Sequence, residues 1–196
     1  MKRFVLAATL ASACNSSQSG VVHTPTNESQ AVVASAAGQR LEANWKERLA
    51  QPYAYVEHVG DYRRLGDSMR ALFAAAAELE LETSGPPFAL FFDDPGQVPI
   101  ERLRARACLP IAQRGSASAA GLQYDDLPRA MVVYARVGGP YPDVAGSYPV
   151  LFAYLRDLGW SPGGPIREIY LVNPKDVSDY RELLTEVQIP WAARGN

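Results

Sequence analysis

The sequence repeats itself, and that repeat constrains the fold more than any other feature. Residues 55–95 overlay residues 134–174 at a constant shift of 79, without a gap. Tyr55 meets Tyr134, Gly60 meets Gly139, Tyr62 meets Tyr141 and Ser68 meets Ser147. Leu72-Phe73-Ala74 meets Leu151-Phe152-Ala153, Leu79 meets Leu158, Gly85-Pro86 meets Gly164-Pro165, and Pro95 meets Pro174. At a shift of 80 the match resumes, with Leu103 on Leu183 and Pro110 on Pro190. A repeat of this length is one supersecondary unit used twice.

Each unit opens with a β-rich run ending at glycine, 53–59 and 130–137. A helix follows, because Leu65, Met69, Leu72, Phe73, Ala76 and Leu79 recur at helical spacing, as do Val144, Tyr148, Leu151, Phe152, Leu155 and Leu158. Pro149 requires the second helix to start or bend at that point. Strands over 88–92 and 166–172 run to Asp-Pro and Asn-Pro turns, and strands over 103–111 and 183–191 close the units. Two β-α-β-β units predict an α+β domain, a mostly antiparallel sheet with two covering helices. Unit one covers 53–112, a connector 113–128, and unit two 129–192. The spacing of Leu41, Trp45 and Leu49 predicts a short lead-in helix over 39–50, with Trp45 as a packing anchor.

The rest of the composition excludes several classes. The chain has 196 residues, enough for one domain of ordinary size. No apolar run reaches the roughly 18 residues of a membrane-spanning helix. With 19 Lys+Arg against 21 Asp+Glu, scattered along the chain, it lacks the basic face of a nucleic-acid binder. Two Cys and two His exclude a Cys-rich zinc site and a disulfide scaffold. No metal site and no cofactor is expected, and no glycine-rich turn cradles phosphates.

The N-terminus reads as an address. Met1-Lys2-Arg3 is basic, residues 4–13 are apolar or small, and Cys14 follows Ala13. That is the order of an export signal. A cysteine just after the cut site resembles the bacterial lipobox, in which the thiol is acylated, although Ala11 stands where that motif usually has leucine. Residues 1–14 therefore read as a signal peptide with Cys14 as the lipidated residue and the membrane as its partner; cleavage near Ala13 with plain secretion, and a cytoplasmic chain with a chance apolar start, are the alternatives. Acylation of Cys14 leaves Cys108 as the remaining thiol, and loss of Lys2 and Arg3 takes the net charge from −2 to −4. Residues 15–38, rich in Ser, Thr, Asn, Gln and Ala, cannot bury enough surface to offset their ordering entropy, and read as a flexible tether. The expected location is the cell envelope facing the periplasm, at the outer membrane, or else soluble in the periplasm or secreted.

Positions where the units differ point to a site. Ala89 becomes Glu168, Phe91 becomes Tyr170, Leu81 becomes Trp160, Ala75 becomes Tyr154 and Met69 becomes Tyr148. Strand alternation puts Ile166, Glu168 and Tyr170 on one face and Arg167, Ile169 and Leu171 on the other. A glutamate in a β run is expensive to bury without a partner. It faces solvent, pairs with Arg167 or Arg136, or awaits a cationic or hydrogen-bonding ligand. An acid ringed by aromatic faces suits a lipophilic cation. Tyr55 and Tyr141 are shared by both units, which favours structure, but both are also candidates for lining the pocket. His58, Cys108 and the acidic pairs Asp93-Asp94 and Asp125-Asp126 read as structural, since no nucleophile motif accompanies them.

The run His58-Val-Gly60-Asp-Tyr62, then Phe92-Asp93-Asp94-Pro95, with Gly139-Pro-Tyr141, Leu158-Gly159-Trp160, Pro165-Ile-Arg-Glu168-Ile-Tyr170 and Ile189-Pro190, resembles the GyrI-like small-molecule-binding domain. This family is also called the AraC-type bacterial effector-binding domain. The resemblance covers about residues 50 to 192 and implies a domain over 51–192 enclosing a central ligand pocket. It implies that Glu168 matches an acid that contacts ligand, including cationic drugs in multidrug-sensing members. Ligand-binding candidates are Glu168, Tyr170, Trp160, Tyr154, Tyr148, Tyr141 and Tyr55. Some relatives hydrolyse reactive cyclopropane compounds, and in that alternative Glu168 is the general base. A third possibility is a scaffold or interaction lipoprotein whose pocket is filled by its own side chains. Relatives fused to DNA-binding helices regulate transcription, but here an export signal and a tether precede the domain. The ligand and any protein partner are not legible.

Overall fold

A computed structural model describes residues 31–34, 40–113 and 121–193. Among these residues, ten strands and two α-helices make up the α+β fold that the repeat predicts. In unit one, β3 (Gln51–Val59), α1 (Leu65–Glu78), β4 (Phe88–Phe91) and β5 (Arg104–Pro110) follow one another. In unit two the same order is β7 (Ala130–Gly138), α2 (Tyr148–Asp157), β9 (Ile166–Tyr170) and β10 (Leu184–Ala193), with a short β8 (Trp160–Pro162) after the helix. Helix α2 starts at Pro149's own first turn, where a missing N–H costs nothing.

Three expectations fail. Residues 40–48 are not a helix but β2 (Arg40–Arg48), paired antiparallel with β7. Leu41 and Ala43 are buried in alternation with exposed Glu42, a period of two that fits a strand, while Leu49 is 68% exposed and anchors nothing. Within the segment read as a tether, β1 (Ala31–Ala34) pairs with β2; the rest of that segment, with Cys14 and the signal peptide, lies outside the described residues. Within the connector, β6 (Gln123–Leu127) is a strand paired with β3.

Strands β2 and β6 reveal a larger repeat. Asn44↔Tyr134 on β2–β7 becomes Gln123↔Tyr55 on β6–β3 when each residue moves by the same 79 positions. Strand order β2-β7-β10-β9-β4-β5-β3-β6 is thus a palindrome about the β9–β4 junction. The two halves also exchange strands: β2 precedes unit one but flanks unit two, and β6 precedes unit two but flanks unit one.

That exchange bends the sheet. Arg48 ends β2 and Gln51 starts β3, yet the strands lie toward opposite ends of the strand order. Three Cα steps span at most about 11 Å, so the sheet curls until its flanks approach. The face turned inward buries Tyr53, Phe88, Leu90 and Cys108, a cluster made of strand residues with no helix over it. The other face carries the helices. Helix α1 packs Leu72, Ala75 and Ala76 onto Ala54, Ala89 and Ala107, and α2 packs Leu151, Tyr154 and Leu155 onto Val133, Ala135 and Val187.

Candidate functional site

The β9–β4 junction places Ala89 directly opposite Glu168, and those are the same position of the repeat. The neighbouring pairs Phe88↔Ile169 and Leu90↔Arg167 exchange under the repeat. A pseudo-twofold axis therefore passes between Ala89 and Glu168. Both lie on the helix-bearing face, where the core of one half meets that of the other.

Glu168 is 7% exposed. Its Oε1 accepts a short hydrogen bond from the Tyr148 hydroxyl, and its Oε2 accepts one from Tyr170 at 3.3 Å. No ion pair reaches it among the described residues: Arg136 is committed to Glu186, and Arg167 points to the other face. Burial holds the Glu168 carboxyl above its usual range, although both phenols act to lower it. Burial and the adjoining carboxylate in turn push both phenols well up, so they remain donors. Tyr141 packs edge-on against Tyr170 with ring centroids 4.9 Å apart.

The first half presents an apolar copy of this arrangement. Ala89, Met69 and Phe91 occupy the places of Glu168, Tyr148 and Tyr170. Tyr62 packs edge-on against Phe91, again at 4.9 Å, as Tyr141 does on Tyr170. Its hydroxyl donates to the Arg104 carbonyl at 2.8 Å, with the Asp93 carbonyl alongside at 3.0 Å. One turn beyond Met69 and Tyr148, on the same helix sides, stand Phe73 and Phe152, 48% and 39% exposed. They are equivalent in the repeat. The sheet face between the helices thus joins a hydrogen-bonding half to a hydrocarbon half.

Not every candidate residue belongs to it. Glu168, Tyr148, Tyr170 and Tyr141 come together. Tyr154 is buried in the second-half core. Trp160 stacks on Trp191 at 3.4 Å and meets Trp45 edge-on at 6.1 Å, forming a wall of that core. Tyr55 lies on the opposite face of the sheet, with its hydroxyl on Gln123 at 2.9 Å and its ring under Arg106 at 4.0 Å. Met69, Phe91 and Tyr62 were missed as site residues, and the signal that finds them is their equivalence to Tyr148, Tyr170 and Tyr141.

His58 is structural: its ring nitrogens meet Ser68 Oγ and the Asp61 carbonyl, each at 3.0 Å. It borders a cleft of about 610 Å³ with Asp61, Arg63, Arg64, Asp67 and Ile100 at the start of α1. This cleft is remote in sequence from Glu168, and its arginines pair with its own aspartates. Its remaining charge, Glu101, is exposed to solvent, whereas Glu168 is a buried acid with no cation beside it among the described residues. No group of His, Cys, Asp and Glu among the described residues is arranged to hold a metal ion.

A duplicated β-α-β-β unit thus forms one sheet, with one acid on its internal axis. The chain belongs to the GyrI-like small molecule binding domain family, which it matches over residues 44–192. The C-terminal domain of EcmrR superimposes with a TM-score of 0.69 at 19% identity, covering 78% of this chain and 98% of that one. EcmrR in its DNA complex gives 0.68 at 19% identity over 78% of this chain, which spans only 58% of that chain. SAV2435 bound to tetraphenylphosphonium gives 0.53 at 12% identity, with 77% and 94% coverage, and a hydrolase from Listeria innocua gives 0.54 at 12% identity, with 76% and 91%. At these identities the likeness is one of fold. No curated protein is matched by the sequence.

Proposed function

We propose that this chain binds small, largely apolar cations in the groove between its halves, with Glu168 as their counter-ion. The observation that carries the reading is a buried carboxyl on the pseudo-twofold axis with phenols but no cation beside it. A cation that reaches Glu168 replaces phenol hydrogen bonds with charge attraction, and the rings of Tyr148, Tyr170 and Tyr141 add cation–π contact. Ala89, Met69 and Phe91 take the apolar part of the ligand. SAV2435, of like fold, is bound to such a cation.

The test is the melting temperature of the chain with tetraphenylphosphonium and with neutral triphenylphosphine oxide, for wild type and Glu168→Gln. A ligand at 100 times its dissociation constant adds about 2.7 kcal/mol. Cation-selective stabilisation that disappears in the variant supports the reading; equal shifts for both compounds contradict it.

A second reading has its own observation. A carboxyl held above its usual range beside two phenols is what general acid–base hydrolysis uses. Product analysis of every compound that stabilises the chain separates the two: turnover lost in Glu168→Gln means an enzyme, and unchanged ligand means a binder.

The sequence of residues 1–14 supports export and a lipid anchor on Cys14, which would hold the domain at the outer membrane facing the periplasm. Among the described residues no helix is long and apolar enough to cross a membrane. Incorporation of labelled fatty acid in wild type, absent in Cys14→Ser, tests the anchor.

A further inference from the structure

On the second half, the face of the sheet opposite Glu168 carries Lys46 and Arg48 on β2, Arg136 on β7 and Arg167 on β9; on the first half, Arg106 on β5 pairs with Glu57 and Asp125. The buried acid among them is Glu186 on β10, and it is fully engaged. Its Oε1 accepts from Lys46 Nζ at 2.5 Å and Gln188 Nε2 at 2.7 Å, and its Oε2 from Arg136 Nε at 3.3 Å. Glu186 acts on Arg167 only from a distance, and among the described residues no carboxylate forms a hydrogen bond or ion pair with Arg48 or Arg167.

Both are more than nine-tenths buried, at 8% and 5% exposure. Each makes one hydrogen bond to a neutral oxygen: Arg48 Nη2 donates to the Pro128 carbonyl at 2.7 Å, and Arg167 Nη2 to Gln51 Oε1 at 2.6 Å. Pro128 and Gln51 adjoin the two short links between the halves, and Gln51 is the register partner of Leu127, so both forks end in one region. The buried Nε of Arg48, Nε of Arg167 and Oε1 of Gln188 have no partner. The Arg167 guanidinium lies 3.9 Å above the Phe88 ring. Burial first, and the charge of Arg48 second, bring the Arg167 pKa down to about 10.

A buried charge without a counter-ion is strongly disfavoured, and two like charges in one region repel. An anion between them removes both penalties. We infer that Arg48 and Arg167 form a binding site for a small oxyanion, held between two guanidinium forks at the crossover that joins the halves. The planar N–H pairs of guanidinium match oxyanion geometry. Burial confines the ligand to a small species. The site is distinct from the groove, because residues 167 and 168 project to opposite faces of β9.

The experiment is thermal unfolding of the full chain in sodium phosphate, with sodium chloride at matched ionic strength as control. Wild type, Arg48→Met, Arg167→Met and Glu168→Gln are compared. A native-state ligand stabilises with the logarithm of its concentration once bound. Phosphate is expected to raise the melting temperature of wild type and Glu168→Gln along a curve that chloride does not reproduce, and both arginine variants are expected to lose that response. The same phosphate curve in wild type and the arginine variants overturns the site, as does its loss in Glu168→Gln. Should an arginine variant fail to fold, calorimetric titration of wild type with phosphate decides. A saturable one-to-one heat supports the site, and no heat overturns it.

Discussion

Ala89 and Glu168 face each other across the axis that relates the two halves of the sheet, one position of the repeat occupied by a methyl group and by a carboxyl. Perfect symmetry would place two carboxylates in contact or none at all. The duplication thus supplied the scaffold, and divergence at this pair supplied one charge at its centre.

Glu168 leaves a signature in the pH dependence of stability. Burial raises its carboxyl above the ordinary 4.5, so the folded chain keeps a proton that the unfolded chain has lost. Stability from this group is therefore fully present below about 4.5 and falls as pH rises through the raised value. Glu168→Gln lacks this loss, and at pH values above that range it is expected to be more stable than wild type by about 1–2 kcal/mol, the scale of an imperfectly satisfied buried polar group. Urea unfolding of both proteins across a pH series measures the difference.

The two phenols are unequal partners. Tyr148 donates to one oxygen of Glu168, and Tyr170 reaches the other at 3.3 Å, the long end of the hydrogen-bond range. Hydrogen bonds to charged groups contribute about 1.5–3 kcal/mol. Where Glu168 is ionised, Tyr148→Phe is expected to cost about 2 kcal/mol and Tyr170→Phe less than about 1 kcal/mol. Both shift the Glu168 titration upward, which carbon-labelled carboxyl NMR reads directly.

The strand exchange predicts how the chain responds to cutting. Cleavage between residues 113 and 121 leaves β2 of the first fragment on β7 of the second, and β6 of the second on β3 of the first. The fragments are expected to co-elute on gel filtration and to keep their sheet signal by circular dichroism. Residues 40–113 expressed alone lack the partner of β2 and are expected not to form a folded monomer.

The backbone offers an internal control at the helix ends. Glu80 adopts φ 49°, and its equivalent Gly159 adopts φ 71° after α2. A side chain in this left-handed region is strained by about 1–2 kcal/mol, part of which glycine returns as unfolded-state entropy. Glu80→Gly is expected to stabilise the chain by about 0.5–1 kcal/mol in urea unfolding.

The repeat made most of this architecture legible, because matched apolar positions fix two copies of one unit. It failed at the flanks. In β2 the four-residue spacing of Leu41, Trp45 and Leu49 imitates a helix, and the buried alternation of Leu41 and Ala43 decides otherwise. In β6 the run Tyr124-Asp125-Asp126-Leu127-Pro128 carries the polar residues of an edge strand, which look like a turn. Glu168 was legible as a difference between equivalent positions. Tyr55 was not placed, because which face of β3 meets the face of Glu168 depends on register across three strand junctions, and a slip of one residue reverses it. The arginine pair was invisible, since Arg48 and Arg167 approach each other only through the curl of the sheet.

The most direct measurement is a calorimetric titration of tetraphenylphosphonium into wild type and Glu168→Gln at two pH values, one on each side of the Glu168 titration. A cation binds the ionised carboxyl, so affinity is expected to fall about tenfold per pH unit below the raised pKa and to level off above it. The variant is expected to bind weakly at both. Equal affinity in wild type and variant, independent of pH, would contradict the assignment of Glu168 as the counter-ion in the groove.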